Sequence, residues 1–247
     1  MMSLTKVNLK KTIKKQYFFK LKANIDAFSS LIGIQLLALL FSIGGVSSAG
    51  MGGSNISVNI KYYSADLVIG FTLIWAFVTA ITITAKPYRN HDFTFVTNRL
   101  SSSLSNILFL LTSSIVGSIT AILAGNLLEV LAYVFLDERI YGVHAGLQEL
   151  VMGIGVTIFY VFFVTSIGYF IGTLVQVSKL FIILISVLLF GTLFLEASMQ
   201  KEPFLVSVFT FYTMESTLSL FIIKVVVTVA VFFTAAISIL NRMEVRR

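Results

Sequence analysis

The chain has 247 residues and a formal net charge of +7, with 57% apolar and 12% charged residues and a mean hydropathy of +0.96. Soluble domains carry about twice that charged fraction, so the polar shell of a water-soluble globule of this size is missing. There is no cysteine, which excludes a disulfide framework, a thiol nucleophile and a thiolate metal site.

The positive charge begins in an arm, residues 1–24, that holds Lys6, Lys10, Lys11, Lys14, Lys15, Lys20 and Lys22 before the first acid at Asp26. Nucleic acid is not an expected partner, because these lysines and most of the other basic residues border apolar runs, which is how membrane topology is written. One reading of the arm is an interfacial helix on the anionic inner leaflet, each Lys contributing about 1 kcal/mol near the surface. Lys6, Lys10, Lys11, Lys14 and Lys15 would then be the leaflet contacts. Leu9, Ile13 and Tyr17, at four-residue spacing, would supply a partial apolar stripe, with Lys6 and Lys20 projecting close to it. A plain topology determinant accounts for the same lysines. The basic stretch is longer than that of a signal peptide and further spans follow, so the first apolar run is expected to be an uncleaved span.

A bilayer core of about 30 Å is crossed by roughly 20 apolar residues in a helix, and residues 25–247 hold six such segments. The first is Ala27 to Val46, ending in Gly44-Gly45. A Gly- and Ser-rich connection, Val46 to Asp66, contains a strand-like stretch from Asn55 to Ile60. The second span, Leu67 to Ala85, is closed by Lys86-Pro87 and followed by a polar connection to Asn106. The third runs from Ile107 to Val134, too long for one perpendicular crossing, which predicts a tilt or a break near Gly125-Asn126. The fourth covers Leu150 to Val175 and the fifth Leu180 to Leu195. Ala197 to Ser216 includes Pro203-Phe204-Leu205-Val206 and Phe209 to Tyr212, too apolar for a free loop. A re-entrant or interfacial element is expected there, with its backbone covered by protein. The sixth span is Thr217 to Leu240, interrupted by Lys224, or else begins after it at Val225.

This predicts an all-α membrane protein with six transmembrane helices. Fourteen of the 18 basic residues fall on one side of the six-span layout, leaving Lys61, Arg139, Lys201 and Lys224. The positive-inside rule places both termini in the cytoplasm and the element before the last span outside.

Residues with chemistry are few. His91 and Asp92 adjoin in the Lys86 to Asn106 connection, but sequence neighbours rarely aim at one atom, and a solvated loop or a protein contact fits better than acid–base work. Asn106, Ser113, Gly117, Thr120 and Ala124 form a small and polar stripe on the third span, and Gly168 and Gly172 form a GxxxG on the fourth. Close helix packing explains both; the alternative is that Ser113, Thr120 and Asn126 face a translocation path or a subunit interface. Lys224 and Glu129 are the charges placed inside the membrane, where each costs on the order of 3 kcal/mol and so points to function. Lys224 could instead snorkel, or pair with Glu196, Glu215 or Glu129. No GxxxxGK[ST], HExxH or GxSxG motif occurs, so no enzymatic activity, catalytic residue, cofactor or metal is expected in this chain.

This layout resembles the membrane-spanning permeases of ABC-2-type ABC transporters, above all the short bacterial exporter subunits. The likeness lies in the basic arm Lys6 to Lys22, six spans, the Lys86 to Asn106 connection after span two, and the Ala197 to Ser216 element before span six. Thr97-Asn98-Arg99 stands where the family carries a Thr-Pro-x-x-Arg stretch, without its Pro. The resemblance implies an exporter of a peptide, antibiotic or lipid-like amphiphile in the bacterial plasma membrane. It implies a dimer with a second permease copy or a relative, and separate ABC ATP-binding subunits that carry the ATP and Mg. It also assigns coupling to Tyr88, Arg89, Asp92, Phe93 and Arg99, and a substrate path along spans one, two and five. A standalone membrane immunity or scaffold protein binding a peptide or lipid is the alternative.

Overall fold

A computed structural model describes residues 9–52, 57–85, 88, 98–135, 146–198, 203–215 and 217–242. The arm forms α1 (Leu9–Ala23), and Asn24 separates it from α2 (Ile25–Ser42). Gly45, at φ +95°, turns the chain out of α2 in a conformation that L side chains rarely adopt. A hairpin follows, β1 (Ser47–Gly52) antiparallel to β2 (Ser57–Tyr62), with Ser47 opposite Tyr62 and Gly52 opposite Ser57. The remaining elements are helices: α3 (Asp66–Thr84), α4 (Arg99–Phe135), α5 (Leu147–Val177), α6 (Leu180–Ser198), α7 (Phe204–Thr213) and α8 (Leu218–Arg242).

Six of these helices, α2, α3, α4, α5, α6 and α8, are long and apolar enough to cross a membrane. Lipid offers no partner to a backbone N–H or C=O, so each apolar run closes its hydrogen bonds within its own helix. The chain is a multi-pass helical membrane protein. At 1.5 Å per residue α3 is about 28 Å long, one bilayer core, whereas α4 is about 55 Å.

Three places sharpen the hydropathy reading. Of the tilt or break expected near Gly125-Asn126, the break does not occur, since α4 is one helix from Arg99 to Phe135. Gly125 serves packing instead: a Cβ there would stand 2.9 Å from Ala65 Cα, just before α3. Helix α4 also begins eight residues earlier than its apolar run, taking in Arg99 to Asn106 from the polar connection. The strand-like stretch belongs to a two-stranded hairpin whose β1, Ser-Ser-Ala-Gly-Met-Gly, lacks β-branched residues and owes its form to pairing.

Helix α3 sits among α2, α4 and α5, and α5 also packs on α8. The largest core cluster joins Ala80 of α3, Phe109 and Leu110 of α4, Tyr169 of α5, and Phe221, Val225, Val229 and Phe233 of α8. Gly168 and Gly172 lie on the α3–α5 contact, where a Cβ would stand 2.7 Å from Phe77 O and 3.1 Å from Ile81 Cα respectively. Apolar side chains gain nothing from leaving water here, so this close approach draws on van der Waals contact. Helix α6 buries none of its residues and touches chiefly α5 and α7.

Candidate functional site

Polar side chains inside an apolar bundle are expensive unless paired, and α4 holds more of those buried among the described residues than any other helix. Its first turns are Ser-rich, and Ser101, Ser102, Ser103, Ser105 and Asn106 are all buried. Ser101 Oγ and Ser105 Oγ donate to Asn98 O and Ser102 O of the same segment, and the arm helix supplies partners for Ser102 and Asn106. Lys20, only 3% exposed, donates from Nζ to Ser102 O at 3.2 Å, to Ser102 Oγ at 3.4 Å and to Asn106 Oδ1. Asn106 Nδ2 reaches the Tyr169 hydroxyl of α5 at 3.5 Å. Further along, Tyr17 and Thr112 hydroxyls share a 2.8 Å hydrogen bond. Gln16 is buried on the same side of α1 with both amide atoms unpartnered.

The arm therefore has two faces. Gln16 and Lys20 press on α4, while Lys11, Lys14, Lys15, Phe18 and Lys22, on the opposite side at 100° per residue, are exposed. Lys10 is exposed as well, and Lys6 lies outside the described residues. Tyr17 of the Leu9–Ile13–Tyr17 stripe is spent on α4, so the large apolar groups left open on the arm include Phe18 and Phe19.

A second polar knot lies deeper. Gln35 Nε2 of α2 donates to Thr72 Oγ1 of α3 at 3.1 Å and to the Gly117 carbonyl of α4 at 3.2 Å. Trp75 Nε1 donates to Ala27 O and Ser30 Oγ, both at 3.0 Å. Gly117 leaves room for this: a Cβ would lie 3.3 Å from Thr72 Cγ2 and 3.4 Å from the Trp75 ring. Gln35 carried no expectation from the sequence, where a lone amide in an apolar run was its available sign, and Lys20 stood out there only as projecting close to the arm's apolar stripe.

The predicted stripe on α4 is largely interior. Asn106, Ser113 and Gly117 are buried, Thr120 and Ala124 half-buried, and Asn126 exposed. Ser113 Oγ has no hydrogen-bond partner, whereas Thr120 Oγ1 donates to Val116 O of its own helix at 2.9 Å. Of the coupling residues, Arg89, Asp92 and Phe93 lie outside the described residues. Tyr88 is exposed. Arg99 Nη1 donates to Leu240 O at 3.0 Å, in the last turn of α8, where a cation complements the helix dipole.

At the far end of the bundle, α8 is already helical at Leu218, so Lys224 lies in its second turn and the helix runs through it without interruption. Lys224 pairs with Glu215. Its Nζ also lies 3.4 Å from Phe211 O and 3.9 Å from the Phe211 ring centroid, a cation–π contact. Glu196 is engaged elsewhere: its Oε2 accepts from Phe204 N at 2.8 Å, capping the first turn of α7. Glu129 is exposed near the end of α4. Tyr160 OH donates to Tyr212 O at 3.2 Å, a third tie on α7.

Comparison with family models, curated proteins and solved structures finds no match to this chain. Function must be argued from the residues. Among the described residues no group of three or more His, Cys, Asp or Glu is placed to hold a metal. The arrangement offers anchored helices, a basic end and an unburied apolar span.

Proposed function

We propose that the chain is the membrane-spanning permease subunit of an ABC-2-type exporter in the bacterial plasma membrane, with both termini cytoplasmic. It moves a peptide, antibiotic or lipid-like amphiphile, using ATP hydrolysed with Mg by separate ABC ATP-binding subunits. The observation that carries this reading is the arm α1, docked on the first turns of α4 beside the end of α8. With the exposed Lys10, Lys11, Lys14, Lys15 and Lys22 of the arm, this makes one cationic end on which a soluble partner can seat. Tyr88, Arg89, Asp92, Phe93 and Arg99 carry the coupling, Arg99 through the end of α8.

Helix α6 supports a dimer with a second permease copy or a relative. It is strongly apolar, with Glu196 its one charge, and buries nothing in its own chain, and with α2 and α3 it borders the substrate path. Helix α7, ten residues or about 15 Å, is too short to cross and dips into the outer leaflet as the re-entrant element. On the arm, Lys10, Lys11, Lys14 and Lys15, with Phe18, rest on the anionic inner leaflet.

Purification of the full chain from its native membrane in mild detergent tests the reading. An ABC ATPase subunit should co-purify, and substituting Arg89, Asp92 and Arg99 together should abolish the ATPase stimulation. If no ATPase accompanies the chain and no neighbouring gene encodes one, the permease reading fails. A standalone immunity or scaffold protein would then be the better account.

A further inference from the structure

Helix α1 meets α2 at a single residue, Asn24, whose φ of −111° and ψ of 35° take it out of the helix. A joint of this kind would ordinarily let a surface helix swing. Here the corner is sealed from both sides of Lys20. Its carbonyl accepts from Asn24 N and from Asn24 Nδ2, both at 2.9 Å. Its ammonium, with three N–H bonds to donate, is buried against α4, where its acceptors include Ser102 O, Ser102 Oγ and Asn106 Oδ1.

We infer that Lys20 is the pin of a fixed corner, locking the arm to α4, and through Asn106 to Tyr169 of α5, so that arm and core move as one body. The physical reason is an asymmetry. Lysine normally keeps its ammonium in water, and withdrawing it is tolerated only where hydrogen bonds replace that water. Once buried, the pin holds strongly, because releasing the arm also takes the donor away from Asn106 Oδ1 against apolar neighbours. Tyr17, bonded to Thr112, steadies the arm but carries no charge. The inference is independent of any ATPase partner and stands or falls separately from the exporter reading.

Trypsin provides the test, because it cuts a helix only after local unfolding. The full chain is placed in nanodiscs of zwitterionic phosphatidylcholine, where headgroup attraction for the arm is weak. Cleavage after Lys14 and Lys15 is followed by mass spectrometry, with Trp75 fluorescence reporting that the bundle is intact. Lys20→Met should raise the cleavage rate about tenfold, the loss expected for charge-assisted hydrogen bonds. Lys20→Arg, which still donates, should stay within about twofold of the natural chain. Asn106→Leu keeps the lysine but removes one acceptor, and should raise the rate about threefold. Should Lys20→Met not fold, Asn106→Leu decides alone. Wild-type cleavage in Lys20→Met or in Asn106→Leu overturns the pin, as does a Lys20→Arg arm cut as fast as a folded Lys20→Met arm.

Discussion

Gly168 and Gly172 let α5 approach α3 so closely that side-chain volume at either position has to displace the neighbouring backbone, Phe77 O at one and Ile81 Cα at the other. Gly172→Val should therefore cost about 1–3 kcal/mol, the usual range for forced overpacking. Gly33 and Gly70 have open space around them, and Gly33→Ala should be neutral or stabilising by up to about 1 kcal/mol through helix propensity. Unfolding in mixed micelles, followed by Trp75 fluorescence, distinguishes the two; equal effects would mean that the α3–α5 contact is looser than described. The pair Lys224 and Glu215 has side chains 26% and 20% exposed, so it should behave as a partly screened contact. A cycle of Lys224→Met, Glu215→Gln and the double variant should give a coupling of about 1 kcal/mol. A coupling near zero would return Lys224 to simple snorkelling.

Among the elements, α7 depends most on neighbours, since ten residues make a marginal helix alone. Glu196→Ala removes the carboxylate that accepts from Phe204 N, which should cost about 1 kcal/mol of local stability. Amide exchange over Phe204 to Thr213 should then speed up about fivefold, while α8 from Val225 onward stays protected. Helix α4 marks the limit of hydropathy reading. Its apolar part from Ile107 was plain, but Arg99 to Asn106 is too polar to be recognised as part of a span. Its polar groups are accommodated by Lys20 on Ser102 and Asn106, by backbone carbonyls accepting from Ser101 and Ser105, and by Arg99 on the end of α8. The GxxxG of α5 was legible as a packing site because glycine spacing alone carries that information. The burial of Lys20 was not, because its place beside the Leu9–Ile13–Tyr17 stripe does not say what covers that stripe, and only the docking of α1 on α4 separates it from the exposed Lys11, Lys14, Lys15 and Lys22.

At the scale of the molecule, two independent patterns agree. Hydropathy marks six spans, and most basic residues fall at one end of them. Contacts between chain-distant residues close that end: Lys20 meets Ser102, and Arg99 meets Leu240. The arm, the start of α4 and the end of α8 thus share one face of the bundle. The hairpin of β1 and β2 joins α2 to α3, at the opposite ends of those helices from the arm. Under the proposed exporter reading the first of these ends is the inner face, for an energy-supplying partner, and the second the outer face, for release. The chain has no cysteine, so a single introduced thiol reports its own side of the membrane. The decisive measurement is labelling of Lys15→Cys, Lys61→Cys and Arg242→Cys by a membrane-impermeant maleimide in intact and in opened cells. Lys61→Cys should react in intact cells, and Lys15→Cys and Arg242→Cys only after the cells are opened. Labelling of position 15 or 242 in intact cells would contradict the six-span, cytoplasmic-ends account on which the exporter reading is built.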